Sequence, residues 1–229
     1  MADTPTQRRA VVLGAAGGIG AALARALAGR GYDVIGLSRR GDPPIDLTDE
    51  ASLAEAAEGC GEDLDCVILA TGFLHGAGMM PEKSFRQVTP AQLAHAFAIN
   101  ATGPALAIKH FLPRLSRHRP ARLAALSARV GSIGDNALGG WMSYRASKAA
   151  LNMLIRCAAI ELARANPGAI CVALHPGTVE TPLSAPFAKA GLRLHSPAEA
   201  AERLLDVLAS LSPAQSGQLL DGSGRVLPF

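Results

Sequence analysis

Aromatic residues make up only 4% of this 229-residue chain, with two tyrosines, one tryptophan and six phenylalanines. Few ring faces are therefore on offer for stacking bases, and none falls within the basic run Arg114, Arg117, Arg119 and Arg122. Charge of one sign is also missing: 22 basic against 19 acidic residues leave a net +3, too balanced to point to nucleic acid. Cysteine is scarce. Cys60, Cys66, Cys157 and Cys171 form no CxxC pair, which excludes a disulfide framework and a tetrahedral zinc site and fits a reducing cytoplasm. The six histidines are scattered without metal-ligand spacing, so no metal is expected; His175, beside Pro176, is the one placed to face a cleft. No run of eighteen apolar residues occurs, since Lys148 and Arg156 interrupt the best candidate. The opening MADTPTQRR lacks the apolar centre of a signal peptide, so a soluble, cytoplasmic protein with no membrane partner is expected.

What remains is 49% hydrophobic and 18% charged, enough apolar material for a sizeable core. Repeats, low-complexity linkers and composition breaks are absent, so residues 1–229 read as a single domain. Short apolar runs stand at residues 10–13, 34–37, 65–69, 122–126 and 169–174, with a last one near 217–220. Continuous runs of this kind suit strands buried on both faces. Helical stretches alternate with them over 18–29, from Thr48-Asp49-Glu50 onward, over 90–116 with a kink expected at Pro104, over 143–165, and from Ser196-Pro197 to about Leu211. The alternation predicts an α/β protein with a parallel sheet of six or seven strands and helices on both faces.

Three local patterns carry chemistry. Gly14-Ala15-Ala16-Gly17-Gly18-Ile19-Gly20 stands where the first strand yields to the first helix. Backbone without Cβ atoms turns tightly there, approaches a pyrophosphate, and offers it the N–H groups of a helix start. At the end of the second strand, Ser38 occupies the position of the acid that would bind the ribose 2′-OH of NAD, and Arg39 follows it. A guanidinium fork suits the extra phosphate of NADP, so NADP(H) is expected over NAD(H). Tyr144 and Lys148 are spaced i,i+4 on one helix face. A nearby ammonium favours phenolate, so the tyrosine pKa is expected to fall toward neutrality, as suits proton transfer at a carbonyl–alcohol centre.

Together these residues resemble the short-chain dehydrogenase/reductase family over nearly the whole chain. The likeness rests on Gly14-x-x-x-Gly18-Ile19-Gly20, Asn100-Ala101-Thr102-Gly103, Tyr144-x-x-x-Lys148 and Pro176-Gly177. Within the family the chain is most similar to the branch of C-factor-like proteins and sniffer-type carbonyl reductases. That closer match runs through residues 128–136, 139–148, 175–179 and 221–225. The resemblance implies a single-domain Rossmann-like doubly wound sheet of order 3-2-1-4-5-6-7 and a homodimer or homotetramer. Leu154, Ile155 and Ala158 are candidates for an outward apolar face. It implies Tyr144 as proton donor and acceptor, Lys148 on the nicotinamide ribose, and Asn100 holding a water of the proton relay. Gly14, Ala16, Gly17, Gly18, Ile19 and Gly20 would line the phosphates, with Ser38, Arg39, Asp46 and Leu47 at the adenosine end. Ala70, Thr71 and Gly72 would face the cofactor, and Pro176, Gly177, Val179 and Thr181 its nicotinamide end.

The chain departs from the family twice. Leu69-Ala70-Thr71-Gly72 replaces the usual Asn-Asn-Ala-Gly. The position of the usual substrate-binding serine, three before Gly131, holds Ala128; Ser127 is favoured in its place, with Ser132 second. Trp141, Met142, Met79, Met80 and Phe187 are candidate walls for a small-molecule carbonyl or alcohol substrate. The leading expectation is an NADPH-dependent oxidoreductase. The alternative is an NADP-binding regulatory or signalling protein on the same fold, with weak or vestigial catalysis, and Ala128 speaks for it.

Overall fold

The computed structural model describes residues 7–187 and 194–229. Its strands are β1 (Arg8–Leu13), β2 (Tyr32–Leu37), β3 (Cys66–Leu69), β4 (Arg122–Leu126), β5 (Ile170–His175), β6 (Leu219–Asp221) and β7 (Val226–Leu227). They form one sheet in the order β2-β1-β3-β4-β5-β6-β7. Every neighbouring pair is parallel except β6 and β7. The inner strands β3, β4 and β5 are buried almost throughout, as their continuous apolar runs require.

Alternate residues of each strand feed opposite layers. Val11 and Leu13 pack toward α2 (Glu50–Cys60), α4 (Gly103–Phe111) and α5 (Met142–Ala165), whereas Ala10 and Val12 pack toward α1 (Gly18–Gly29) and α6 (Pro197–Ser210). Helix starts follow their capping residues. Asp49 accepts from the Ala51 N–H at 3.0 Å, Thr89 opens α3 (Pro90–Phe97), and Ser196 and Glu199 form a capping box on α6. No helix among the described residues is long and apolar enough to cross a membrane.

The outer edge differs from the order 3-2-1-4-5-6-7. Among the described residues no strand lies outside β2. The chain there carries Pro43 and Pro44, which have no N–H to donate to a ladder, and it turns back on itself through the Gly41 and Ile45 N–H groups, both on the carbonyl of Ser38 just past β2 at 3.0 Å. The seventh strand is instead the short antiparallel β7.

The segment 90–116 is likewise not one kinked helix. Helix α3 passes into a π turn at Ala98–Thr102, then α4, then a 3₁₀ turn at Leu112–Arg114. Pro104 has no N–H for the Asn100 carbonyl four residues back, so regular α-helix cannot run through Asn100.

The basic run is tied into the fold rather than solvated throughout. Arg119 pairs with the buried Asp65 at 2.7 Å and Arg114 with Glu62 at 2.7 Å.

Candidate active site

The turn after β1 brings the first candidate residues to the carboxyl end of the sheet. Gly14 takes φ +91°, and a Cβ there would lie 2.8 Å from the Ala70 carbonyl oxygen. A Cβ at Gly20 would fall onto the Gly14 carbonyl oxygen. Helix α1 can therefore start against the turn only with glycine at both places. Its N-cap, Gly17, offers no side chain to the helix start, and Ala16, Gly17 and Gly18 are exposed. The first N–H groups of α1 are thus left for a ligand, at the positive end of the helix.

Beside this turn, Ser38 is half-buried and Arg39 exposed at the end of β2. Asp46 is exposed, and hydrogen bonds from the Thr48 N–H and hydroxyl, at 2.8 and 2.7 Å, hold its carboxyl below the usual carboxylate range. Leu47 is buried against Gly103. After β3, the Ala70 N–H donates to the Leu13 carbonyl at 2.8 Å, and the Thr71 hydroxyl oxygen is buried without a partner. Thr71 Cγ2 stands 3.1 Å from the place a Gly14 Cβ would take, so this orphan group adjoins the glycine turn.

Asn100, fully buried in the π turn, ties three segments together. Its Oδ1 accepts from the Phe73 N–H at 2.7 Å, and its Nδ2 donates to the Phe73 carbonyl at 2.8 Å and to Ser147 Oγ at 3.0 Å. Ser147 in turn donates to the Tyr144 carbonyl at 3.0 Å. A Cβ on Gly72 would sit 3.6 Å from both Asn100 Oδ1 and Lys148 Nζ, so the two side chains meet beneath that glycine.

Tyr144 and Lys148 share the first turns of α5 as their spacing requires. The Lys148 Nζ is 6.0 Å from the Tyr144 ring centroid and donates to the Leu126 carbonyl at 2.8 Å. Burial pushes the lysine pKa down to about 8. The phenol departs from the sequence expectation. Burial pushes its pKa up to about 12, because desolvation of the phenolate outweighs the help of an ammonium aimed at Leu126.

Ser127, Ala128 and Ser132 are separated by their neighbours. Ser127 reaches the wall of the cleft, but its hydroxyl donates to Asn152 Oδ1 at 2.7 Å. Ala128 lines the same wall with no polar atom to offer. Ser132 Oγ accepts from the Asp135 N–H at 3.1 Å, outside the cleft.

These elements enclose a cavity of about 1490 Å³. Ile19, Tyr144, Pro176, Gly177, Val179 and Thr181 all reach it, so the starts of α1 and α5 and the segment after β5 share one space; the glycine turn adjoins it, since a Cβ on Gly18 would lie 2.9 Å from Thr181 Cγ2. Met80, Trp141 and Phe187 are walls, but Met79 and Met142 are not. His175 also faces in; its Nδ1 is buried without a partner, and burial pushes its pKa down to about 4.

The sequence reading missed the brace around this site. Gly139, Gly140 and Trp141 all have positive φ, at 63°, 65° and 53°. A tryptophan rarely adopts that conformation. Arg145 holds the turn, its Nε donating to the Gly139 and Gly140 carbonyls and its Nη1 to the Val130 carbonyl. The buried Glu82 accepts from both the N–H and the hydroxyl of Ser143. Gly139-Gly140 was the visible signal of an unusual turn; the distant partners Glu82 and Val130 left none.

The short chain dehydrogenase family model matches residues 8–191. The chain belongs to the short-chain dehydrogenase family. It is 32% identical over 233 residues to the 1-hydroxy-2-glutathionyl-2-methyl-3-butene dehydrogenase of Rhodococcus sp. (strain AD45), covering 96% of this chain and 98% of that protein. It is 37% identical over 139 residues to the C-signal protein of Myxococcus xanthus, covering 61% of this chain and 80% of that one. Among solved structures, the NADPH-bound carbonyl reductase from chicken fatty liver matches with a TM-score of 0.83 at 28% identity, over 97% of this chain and 94% of that one. This short-chain dehydrogenase is therefore an oxidoreductase by family. Its residues fit a dinucleotide: the glycine turn leaves a cradle that Cβ atoms would fill, the α1 N–H groups lack a side-chain cap, and the Thr71 hydroxyl waits beside them.

Proposed function

We propose that this protein transfers hydride between the nicotinamide of NADPH and a carbonyl or secondary alcohol, with Tyr144 as general acid and base. The reading is carried by one observation: Tyr144 lines the same cavity as Ile19, which follows the exposed glycines at the start of α1, and as Pro176, Gly177, Val179 and Thr181. Bound cofactor supplies the hydride; the chain supplies position, proton and electrostatics.

Gly14, Ala16, Gly17, Gly18, Ile19 and Gly20 would hold the pyrophosphate. Asp46 and Leu47 would flank the adenine, Ala70, Thr71 and Gly72 the adjoining ribose, and Pro176, Gly177, Val179 and Thr181 the nicotinamide end. No acid stands at Ser38 to claim a 2′-hydroxyl, and the exposed Arg39 beside it suits a 2′-phosphate, which favours NADP(H) over NAD(H).

In reduction Tyr144 gives its proton to the substrate oxygen. A raised phenol pKa keeps that proton in place at neutral pH. Lys148, cationic below about pH 8, would turn from Leu126 toward ribose and phenol. Asn100 would orient the relay: its side chain is spent on Phe73 and Ser147, while its carbonyl lacks an α-helical donor because residue 104 is proline. Ser127 is the hydroxyl proposed for the substrate oxygen, and to serve there it must turn its proton away from Asn152.

Ala128 favours a second reading, an NADP-binding regulatory or signalling protein with weak catalysis. One experiment separates the two. NADPH absorbance is followed against a panel of aldehydes and ketones for wild type and Tyr144→Phe. The enzyme reading expects turnover in the wild type and a loss of about a hundredfold or more in the variant, with NADPH affinity nearly unchanged. Equal rates in both proteins would refute the role of Tyr144. NADPH binding without turnover in either would favour the regulator.

A further inference from the structure

The charges around the cavity are one-sided. Among the described residues that line it there is no aspartate or glutamate, whereas Lys83, Arg129 and Arg145 all reach it. Arg129 is neutralised by Asp135, through bonds of 2.5 and 3.0 Å. The other two cations are not.

Among the described residues Arg145 has no carboxylate partner. Its bonds go to the carbonyls of Gly139, Gly140 and Val130 through Nε and Nη1, and Nη2 has none. Burial holds its pKa below the ordinary guanidinium value, as for a cation short of counter-charge. Lys83 is placed by its backbone N–H on Gln87 Oε1 at 2.6 Å, and its ammonium makes no ion pair among the described residues. The carboxylate next to it in sequence, Glu82, is buried and consumed by Ser143. His175, with its pKa down at about 4, adds no positive charge at neutral pH.

Much of the remaining wall is apolar, with Leu74, Leu138, Trp141 and Phe187 among its residues. The Trp141 ring lies 5.0 Å from that of Phe187 and 6.3 Å from that of Tyr144. Walls of low dielectric strengthen the field of unpaired cations at their rim.

We propose that the substrate is an amphipathic carbonyl acid: a ring-sized apolar body against Trp141 and Phe187, its reacting carbonyl at Tyr144, and a carboxylate held by Lys83 and Arg145. This rests on the oxidoreductase reading of the same cavity. The pull on the carboxylate is electrostatic, so it weakens with salt.

The test uses 4-formylbenzoate and its methyl ester, which differ in the one charge, with NADPH at low and high salt. Wild type should prefer the acid in kcat/KM by about tenfold or more, with salt eroding the preference. Lys83→Ala should cut the preference several-fold and Lys83→Glu should abolish or invert it. Wild type favouring the ester, or a preference that neither substitution nor salt moves, would overturn the proposal. Binding is read separately from turnover. Trp141 is the sole tryptophan, so quenching of its fluorescence reports cavity occupancy in the NADPH-loaded protein. Tighter quenching by the acid than by the ester supports the proposal even if neither compound is reduced, an outcome that would count against the reductase reading alone. Equal or weaker quenching by the acid overturns the charge assignment even if both are reduced.

Discussion

The Lys148 ammonium donates to the Leu126 carbonyl at the end of β4, 2.8 Å away, in a site only 3% exposed to solvent. Among the described residues no carboxylate offsets it, and burial draws its pKa from 10.5 to about 8. A lysine so depressed costs stability wherever both folded and unfolded states are charged.

Lys148→Met should therefore raise thermal stability, by on the order of 2 kcal/mol near pH 7, while abolishing turnover. The sign with pH follows. Between about pH 8 and 10.5 the folded state has shed this proton and the unfolded state has not, so wild-type stability gains as pH rises through that window. The Tm gap between variant and wild type should narrow from pH 7 to pH 9.5. A variant less stable than wild type at pH 7 would contradict the account.

Ala128 presents a methyl group where a hydroxyl would point into the cavity. Ala128→Ser should raise kcat/KM for carbonyl reduction about tenfold or more, with little change in NADPH affinity. Ser127→Ala should cost about 1 kcal/mol of stability through its bond to Asn152 and, as the hydroxyl proposed for the substrate oxygen, lower kcat/KM as well. Steady-state kinetics and thermal melts on both variants decide the matter. An unchanged or lower rate for Ala128→Ser would show that the site does not want a donor there.

Cofactor choice hangs on an exposed side chain at the end of β2. Arg39→Ala should weaken NADPH binding about tenfold and leave NADH binding almost unaltered, because only NADPH carries the extra phosphate. Fluorescence titration with both cofactors measures the gap. Equal affinities in the wild type would remove the basis for NADP preference.

The apolar residues that α5 shows to solvent are not those expected. Ile155 and Ala158 are buried, whereas Met153 is 65% exposed, Ile160 is 44% exposed and Cys157 is exposed between them. Their spacing lays one stripe along the helix. If this stripe joins two copies, light scattering at micromolar concentration should give a dimer or tetramer, and Met153→Glu with Ile160→Glu should shift it to monomer. A wild type that is monomeric under those conditions would refute the expectation.

Some of this molecule could be read without coordinates. The buried strands were visible because residues 66–69, 123–126 and 170–174 are apolar without interruption, and only a sheet covered on both faces accepts such runs. The glycine turn and the Tyr144–Lys148 spacing were visible because their geometry is local: a tight turn needs missing Cβ atoms, and i,i+4 fixes one face of a helix. Caps at Asp49, Thr89 and Ser196 were legible for the same reason.

Tertiary structure decided the rest, because each remaining property depends on a partner distant in sequence. The direction of the Tyr144 pKa follows from how much protein surrounds the phenol and from Leu126 claiming the Lys148 ammonium, 22 residues away in the chain. The Ser127 hydroxyl is engaged because Asn152 Oδ1, 25 residues on, accepts a hydrogen bond from it. The loss of the strand outside β2 depended on whether Pro43 and Pro44 would be asked to join a ladder. The unbalanced cations of the cavity emerged only when Glu82 turned inward to Ser143, 61 residues away, and left Lys83 and Arg145 facing the open space without it. Spacing along a chain determines faces and turns; burial, proton ownership and charge balance are set by what the fold brings alongside.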